Sequence, residues 1–317
     1  MSDDEWVVDA ASVGARLDKF LADPDRLRSR GRAFAAIERG KVYINDAEAM
    51  PADAARRVEA GDCVRLWQDR PGSSRKRTHR TARPGELSIV YEDDALVVVN
   101  KPPGLLAVPL ERQEDAASVQ DELVHHLRSK GKRKPLVVHR IDRDTSGLVL
   151  FALRPDALGR LKGQFRRHEP ERVYLAIVYG HPNPEQGRWL DHLVWDERSL
   201  IQKETHPKDP LGKEARSDYR VVEWLDGAAL IEVRLETGRR NQIRLQARLR
   251  GHTLVGEQRY TYGSDELRSI QFKRQALHAH RLGFVHPLTD QLMRFELPLP
   301  ADMQELLDRL RRGGRTP

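Results

Sequence analysis

The chain has 317 residues, with 55 lysines and arginines against 48 aspartates and glutamates; the net charge is +7, and hydrophobic residues make up 39% and charged ones 32%. That length leaves room for about two domains with a substantial core, and the balance excludes a disordered chain. No run approaches the ~18 apolar residues of a membrane span, the N-terminus MSDDEWVVDAAS lacks a signal peptide's layout, and Cys63 is the single cysteine, which excludes internal disulfides and fits a reducing cytoplasm.

In chain order, residues 15–22 (ARLDKFLA) read as a short helix that stops before Pro24. Ser29 is placed to cap a second helix with Ala33, Phe34 and Ile37 on one face and Gly40 as its stop. Residues 41–45 (KVYIN) and 61–67 (GDCVRLW) alternate as strands. Together they predict a small α-plus-β domain over 1–68. Residues 69–86, rich in Pro, Gly, Ser and Arg, have no periodicity and read as a basic linker.

The remainder, 87–317, alternates strands with isolated helices. Strands are expected over 87–91 and 95–100, either side of the acidic turn Glu92-Asp93-Asp94. Ser118 and Asp121 form a capping box for a helix that turns Val119, Leu123 and Leu127 inward. Residues 148–153 (LVLFAL) suit a buried strand, and Leu158, Leu161 and Phe165 mark an amphipathic helix after Pro155. A strand follows over 174–179, then a hairpin turning at Asp226-Gly227 between 217–225 and 228–236. After a turn at Thr237-Gly238, alternation predicts a strand with Gln242, Arg244 and Gln246 on one face. A last helix from Asp302 buries Met303, Leu306, Leu307 and Leu310 and ends at Gly313. The pattern is α+β, with a mixed, largely antiparallel central sheet and flanking helices.

Positive charge is concentrated. Residues 70–83 carry six Lys/Arg and no acid, residues 128–134 five in seven, and Arg234, Arg239, Arg240, Arg244, Arg248 and Arg250 form a third group. Three such clusters favour a nucleic-acid partner over a merely solvated surface. There is no phosphate-binding glycine loop, no strand-linked GxGxxG, no GxSxG and no HExxH, and His125, His126, His278 and His280 lack metal-ligand spacing. No metal or cofactor is expected.

One polar loop, HRIDRDTSG at 139–147, is set between apolar runs, where a scaffold displays catalytic groups. It holds Asp142 and Asp144 beside Arg140 and Arg143. Taken alone, it also suits a hydrogen-bonded turn closed on Thr145, Ser146 and Gly147. An arginine aimed at one of these carboxylates from residues 235–251 would keep it charged, fit to act as nucleophile or base.

The loop resembles the H-R-L-D-x-x-T-S-G hallmark of RluA-type pseudouridine synthases. YLAIVYG at 174–180 is similar to that family's tyrosine strand, and TGRRNQIRLQ at 237–246 to its T-G-R-x-H-Q-I-R-x-H segment. IVYEDDALVVVNKPPGLL at 89–106 and LHAHRLGFVHP at 277–287 resemble its opening and closing strands. RLDKFL at 16–21, Ser29, Arg30, the stretch from Ile37 to Asn45 and GDCVRL at 61–66 resemble the αL RNA-binding domain that commonly precedes this catalytic domain.

The resemblance implies isomerisation of uridine to pseudouridine in RNA, without cofactor or metal, by a cytoplasmic monomer. It implies Asp142 as the essential carboxylate (nucleophile or base), Arg244 as its partner, and Tyr174 stacked on the flipped uracil. Arg140 would fill the space the base vacates. Arg143, Arg239, Arg16, Ser29, Arg30 and Lys41 would meet RNA, while His139, Thr145, Ser146 and Gly147 would shape the loop. Large-subunit ribosomal RNA is the first expectation, transfer RNA the alternative, and a non-catalytic RNA-binding or ribosome-assembly factor the rival. A hydrolase using Asp142 and Asp144 as an acid/base pair is disfavoured. Departures from the pattern are Asn241 and Gln246 for histidines, Glu257 for an aspartate, an extra residue near Thr261, and Arg172 for a lysine. They weaken any transfer of RNA contacts.

Overall fold

The computed structural model describes residues 4–45, 47–67, 87–109, 117–128, 134–261 and 269–313. These form two compact units, each with its own sheet and core. The linker expected over 69–86, the basic run 70–83 and most of the run 128–134 lie outside the described residues.

The N-terminal unit contains β1 (Asp4–Val7), α1 (Leu17–Leu21), α2 (Arg30–Glu38), β2 (Val42–Ile44), β3 (Ala47–Glu48) and β4 (Cys63–Leu66). Its antiparallel sheet has the order β1-β4-β2-β3. At five residues α1 is too short to persist alone, so burial of Leu17, Phe20 and Leu21 against Ile37, Val42 and Val64 supports it. Ser29 caps α2, its hydroxyl accepting from Arg32 N–H at 3.2 Å. The buried face of α2 is Ala33, Ala36 and Ile37. Phe34 does not join it and is 41% exposed; one residue past Ala33 a helix has turned about 100°.

The larger unit contains β5 (Ser88–Glu92), β6 (Leu96–Lys101), α3 (Val119–Arg128), β7 (Leu136–Val137), β8 (Ser146–Ala152), α4 (Pro155–Arg166), β9 (Glu171–Tyr179), β10 (Gln186–Asp196), β11 (Ile201–Glu204), β12 (Lys213–Leu225), β13 (Ala228–Leu235), α5 (Gln242–Leu249), β14 (Leu277–Val285), β15 (Leu292–Glu296) and α6 (Ala301–Gly313). Its sheet runs β11-β10-β12-β13-β9-β14-β8-β6-β5, with β15 also on β14 and β7 on β8. β8 and β14 pair in parallel, whereas β11 through β14 and β6–β8 pair antiparallel. The sheet is therefore mixed and largely antiparallel, as the hairpin signals imply.

Both faces of the sheet are covered, and β9 shows why its sequence is apolar from Leu175 to Val178. Ala176 and Val178 pack with α3 (Leu123, Leu127) and α5 (Ile243, Ala247). Ile177, between them, packs with Met303, Leu306 and Leu307 of α6. Adjacent strand residues point to opposite faces, so a strand covered twice cannot alternate with polar residues.

One expected element is different in kind. The segment after Gly238 is helix α5, not a strand. QIRLQARL alternates polar and apolar residues, which mimics a half-buried strand, but Gln, Arg, Leu and Ala are all strong helix formers. The consequence is directional. Gln242 and Gln246, one turn apart, share a buried face, and Arg244 points elsewhere.

Candidate active site

The loop joining β7 to β8 is fastened through its backbone. Lys101, fully buried at the end of β6, donates from Nζ to the carbonyls of Pro102, Leu105 and Arg143 at 2.7–2.8 Å. Burial draws its pKa down to about 7, against the pull of Asp144 and Asp142. Arg274 grips Asp302 of α6 with Nε and Nη2 at 2.7 and 2.9 Å, and its Nη1 donates to the Asp144 carbonyl at 3.1 Å. His139 accepts from Leu150 N–H at 3.1 Å and stacks on Phe165. Burial, then Arg172, pushes His139 down to about 3, so it is a neutral acceptor.

Further along the loop, Thr145 accepts from Gln275 at 3.3 Å and Ser146 meets His278 Nδ1 at 2.9 Å. Gly147 has φ +112°, and a Cβ there would lie 2.3 Å from the Ala279 carbonyl oxygen. The parallel approach of β14 therefore admits only glycine.

On this platform sits Asp142, whose Oδ2 accepts from Arg244 Nη1 at 3.1 Å and from Asn241 Nδ2 at 2.8 Å. Arg244 is backed by Glu257, with Nε and Nη2 each 2.7 Å from a carboxylate oxygen. Burial opposes the charge on Arg244, but Glu257 and then Asp142 outweigh it and raise its pKa. Burial likewise works against Glu257, and the bonds from Arg244 and from the N–H groups of Arg259 and Tyr260 hold its pKa below the usual range. Glu257 thus keeps a permanent cation facing Asp142.

Tyr174, on β9, borders the same cleft; burial raises its hydroxyl pKa to about 12. The cleft has a volume of about 290 Å³ and is lined by Asp142, Tyr174, Arg244, Asn241, Ile141 and Leu277 among others. Its charged lining is four arginines, Arg140, Arg172, Arg239 and Arg244, against the single carboxylate of Asp142. That suits an anionic ligand carrying a flat ring. Among the described residues no three His, Cys, Asp or Glu side chains gather as a metal requires.

The structure thus brings Asp142, Arg244 and Tyr174 to one cleft with Arg140, His139, Thr145 and Arg239. Arg143 is not part of it, since its exposed guanidinium pairs with Asp144 at 3.1 Å. Arg16, Ser29, Arg30 and Lys41 belong to the N-terminal unit, where Arg16 and Arg30 both donate to Asp18.

Other groups at the site are not legible in the sequence. Glu257 and Asn241 stand out in the sequence only as departures from a pattern. Arg172 donates to the Glu236 carbonyl at 2.9 Å and lies where a Cβ on Gly238 would be 2.4 Å from its Nη1. Beside the cleft residues Arg239 and Asn241, Arg240 is exposed, with its guanidinium 3.9 Å over the ring of Trp195. Arg140, Arg239 and Arg240 have no carboxylate in ion-pair contact among the described residues.

Comparison with known proteins agrees with this geometry. A family model described as RNA pseudouridylate synthase matches residues 95–249. The chain is 37% identical over 309 residues to a ribosomal large subunit pseudouridine synthase D of Zymomonas mobilis, covering 94% of each chain. It is 34% identical to an uncharacterized RNA pseudouridine synthase of Bacillus subtilis, covering 94% of this chain and 95% of that one. Among solved structures, human RNA pseudouridylate synthase domain containing 4 superposes with a TM-score of 0.58 at 22% identity, over 71% of this chain and 93% of that one.

Proposed function

The chain belongs to the RluA-type RNA pseudouridine synthase family, and from that premise we propose that Asp142, Arg244 and Tyr174 form the site at which it isomerises uridine in large-subunit ribosomal RNA. One observation carries this reading: Asp142 and Arg244 are bonded at 3.1 Å in a cleft that Tyr174 also borders. The ribosomal target rests on the name of the 37% identical relative.

In this reaction the C1′–N1 bond breaks, the uracil turns in place, and a C1′–C5 bond forms. C5 gives up a proton and N1 takes one, so nothing is oxidised and no water is consumed. Asp142 acts on the target nucleotide as nucleophile or base. Arg244 holds it in place. Tyr174 stacks on the uracil and, with a hydroxyl that stays protonated well above neutral pH, hands protons as a neutral phenol.

The target base must first leave its stack, at a cost of a few kcal/mol that phosphate contacts offset. Arg140 takes the vacated space, and Arg239 meets the backbone at the rim. The N-terminal unit serves as an αL RNA-binding domain, presenting Arg16, Arg30 and Lys41. We expect a monomer working in the cytoplasm.

The test uses ribosomal RNA carrying tritium at uridine C5. The purified protein should release the label, and Asp142→Ala should abolish release while still binding the RNA. Equal release by both proteins removes Asp142 from its role.

A further inference from the structure

Among the described residues the side chain of Asp142 is bonded through one oxygen. Asn241 Nδ2 at 2.8 Å and Arg244 Nη1 at 3.1 Å both reach Oδ2, and among the described residues no donor reaches Oδ1. A single donor would let the carboxylate swing about its terminal torsion, whereas two donors from different residues fix its plane.

Asn241 is built for this contact rather than for its helix. It stands at the N-cap of α5, where an asparagine side chain usually accepts from an N–H of the first turn, yet it makes no such bond. Its backbone is left-handed, φ 53° and ψ 23°, a region that asparagine enters more readily than other side-chain-bearing residues. That turn sends the amide toward the β7–β8 loop instead.

The orientation of the amide is fixed from its other end. The Tyr260 hydroxyl accepts from Gln202 N–H at 2.9 Å, which leaves its own hydrogen to donate to Asn241 Oδ1 at 3.1 Å. The Nδ2 end must then face Asp142, which when ionised can only accept. Tyr260 N–H in turn donates to Glu257 at 3.1 Å, and Glu257 holds Arg244. Asp142, Asn241, Tyr260, Glu257 and Arg244 therefore close a ring of hydrogen bonds.

We propose that Asn241 is a positioning residue for the isomerisation: its amide, aimed by Tyr260, shares Oδ2 of Asp142 with Arg244 and so presents Oδ1 as the oxygen that acts on the nucleotide. This rests on the catalytic role proposed for Asp142. It also gives a use to a position where the resembling family carries histidine, since either side chain supplies a neutral N–H donor.

The decisive variant is Asn241→Gly, which removes the amide while tolerating the left-handed backbone. Steady-state tritium release should show kcat lowered about 10- to 100-fold, the range for losing one hydrogen bond to a charged group. KM for RNA and the melting temperature should stay near wild type. Asn241→His, which restores a donor, should recover kcat to within about fivefold of wild type.

An unchanged kcat in Asn241→Gly overturns the proposal, as does an equal loss in the glycine and histidine variants accompanied by lower melting temperatures. Asp142→Ala run alongside separates the two readings. If it keeps full release, the role of Asp142 fails. If it is inactive while Asn241→Gly keeps full kcat, only the positioning role fails.

Discussion

Glu257 holds Arg244 along one whole edge of the guanidinium, both bonds being 2.7 Å long, and the Glu257 side chain is wholly buried. A buried carboxylate needs several donors to stay charged, and here Oε1 also accepts from the N–H groups of Arg259 and Tyr260. Breaking such a pair from one side costs about 3–5 kcal/mol, because the remaining charge is stranded. Glu257→Ala should therefore melt the catalytic unit earlier by that amount in a denaturant titration. It should also reduce tritium release at least tenfold, since Arg244 loses the group that aims it at Asp142. A variant with wild-type kcat would mean that Arg244 keeps its place unaided.

Lys101 couples the loop to pH. Its folded pKa, about 7, lies below the ordinary 10.5 because burial disfavours the charge. Between those values the unfolded chain binds one proton more than the folded one, so this residue makes stability rise as pH rises from about 7 toward 10. Lys101→Met should abolish that slope. At neutral pH it leaves three carbonyls without their donor, at about 1–3 kcal/mol each, partly offset by relief of the buried charge. The net loss should be about 3 kcal/mol, read by denaturant unfolding at pH 7 and pH 9.

Gly147→Ala tests the closeness of β8 and β14. The added carbon would sit 2.3 Å from the Ala279 oxygen on a backbone with φ +112°. Backbone strain of about 1–3 kcal/mol and a clash of similar size add to roughly 4 kcal/mol. The strands must part to admit it. Both the melting temperature and activity should fall, and an alanine variant with wild-type stability would refute this packing.

How far the sequence foretells this depends on where the information resides. The loop bearing Asp142 is legible because polar residues interrupt two apolar runs, a contrast visible without knowing the fold. The direction of Arg244 is not legible: the alternation of QIRLQARL points to a strand, and only the helix explains why Arg244 and Gln246 diverge, Gln246 going to Asp191 and Ser217. Lys101 falls just past the strand expected over 95–100, and nothing local reveals that three carbonyls converge on it. Glu257 and Tyr260 lie more than a hundred residues from the loop, and their use arises from chain crossings that composition does not encode.

In the N-terminal unit, Asp18 takes hydrogen bonds from Arg16 at 3.0 Å and Arg30 at 2.7 Å. Arg16 is the largest influence, burial opposes it, and Arg30 adds to it, leaving the carboxyl at about 2. A depressed folded pKa gives stability that is present above the unfolded value near 4 and lost as pH falls toward 2. Asp18→Asn should remove that acid-dependent loss from the unit's unfolding. It should also weaken RNA binding by the whole protein, because Arg16 and Arg30 would no longer be held in place.

Arg240 over Trp195 is where RNA flanking the target should leave its mark. The guanidinium lies 3.9 Å from the ring, while burial and then Arg140 lower the pKa of Arg240, so its charge is better satisfied with an anion at hand. A phosphate supplies the anion, and the stacked guanidinium offers a neighbouring base a flat surface. Arg240→Ala should raise KM for RNA about fivefold to tenfold with kcat nearly unchanged, and should lower the steepness with which binding weakens in salt by about one phosphate contact. Trp195→Ala should raise KM similarly while leaving the salt slope as it was, because it removes a stacking surface and no charge. The contrast between these two slopes separates phosphate contact from stacking, and equal slopes in both variants would show that Arg240 touches no phosphate.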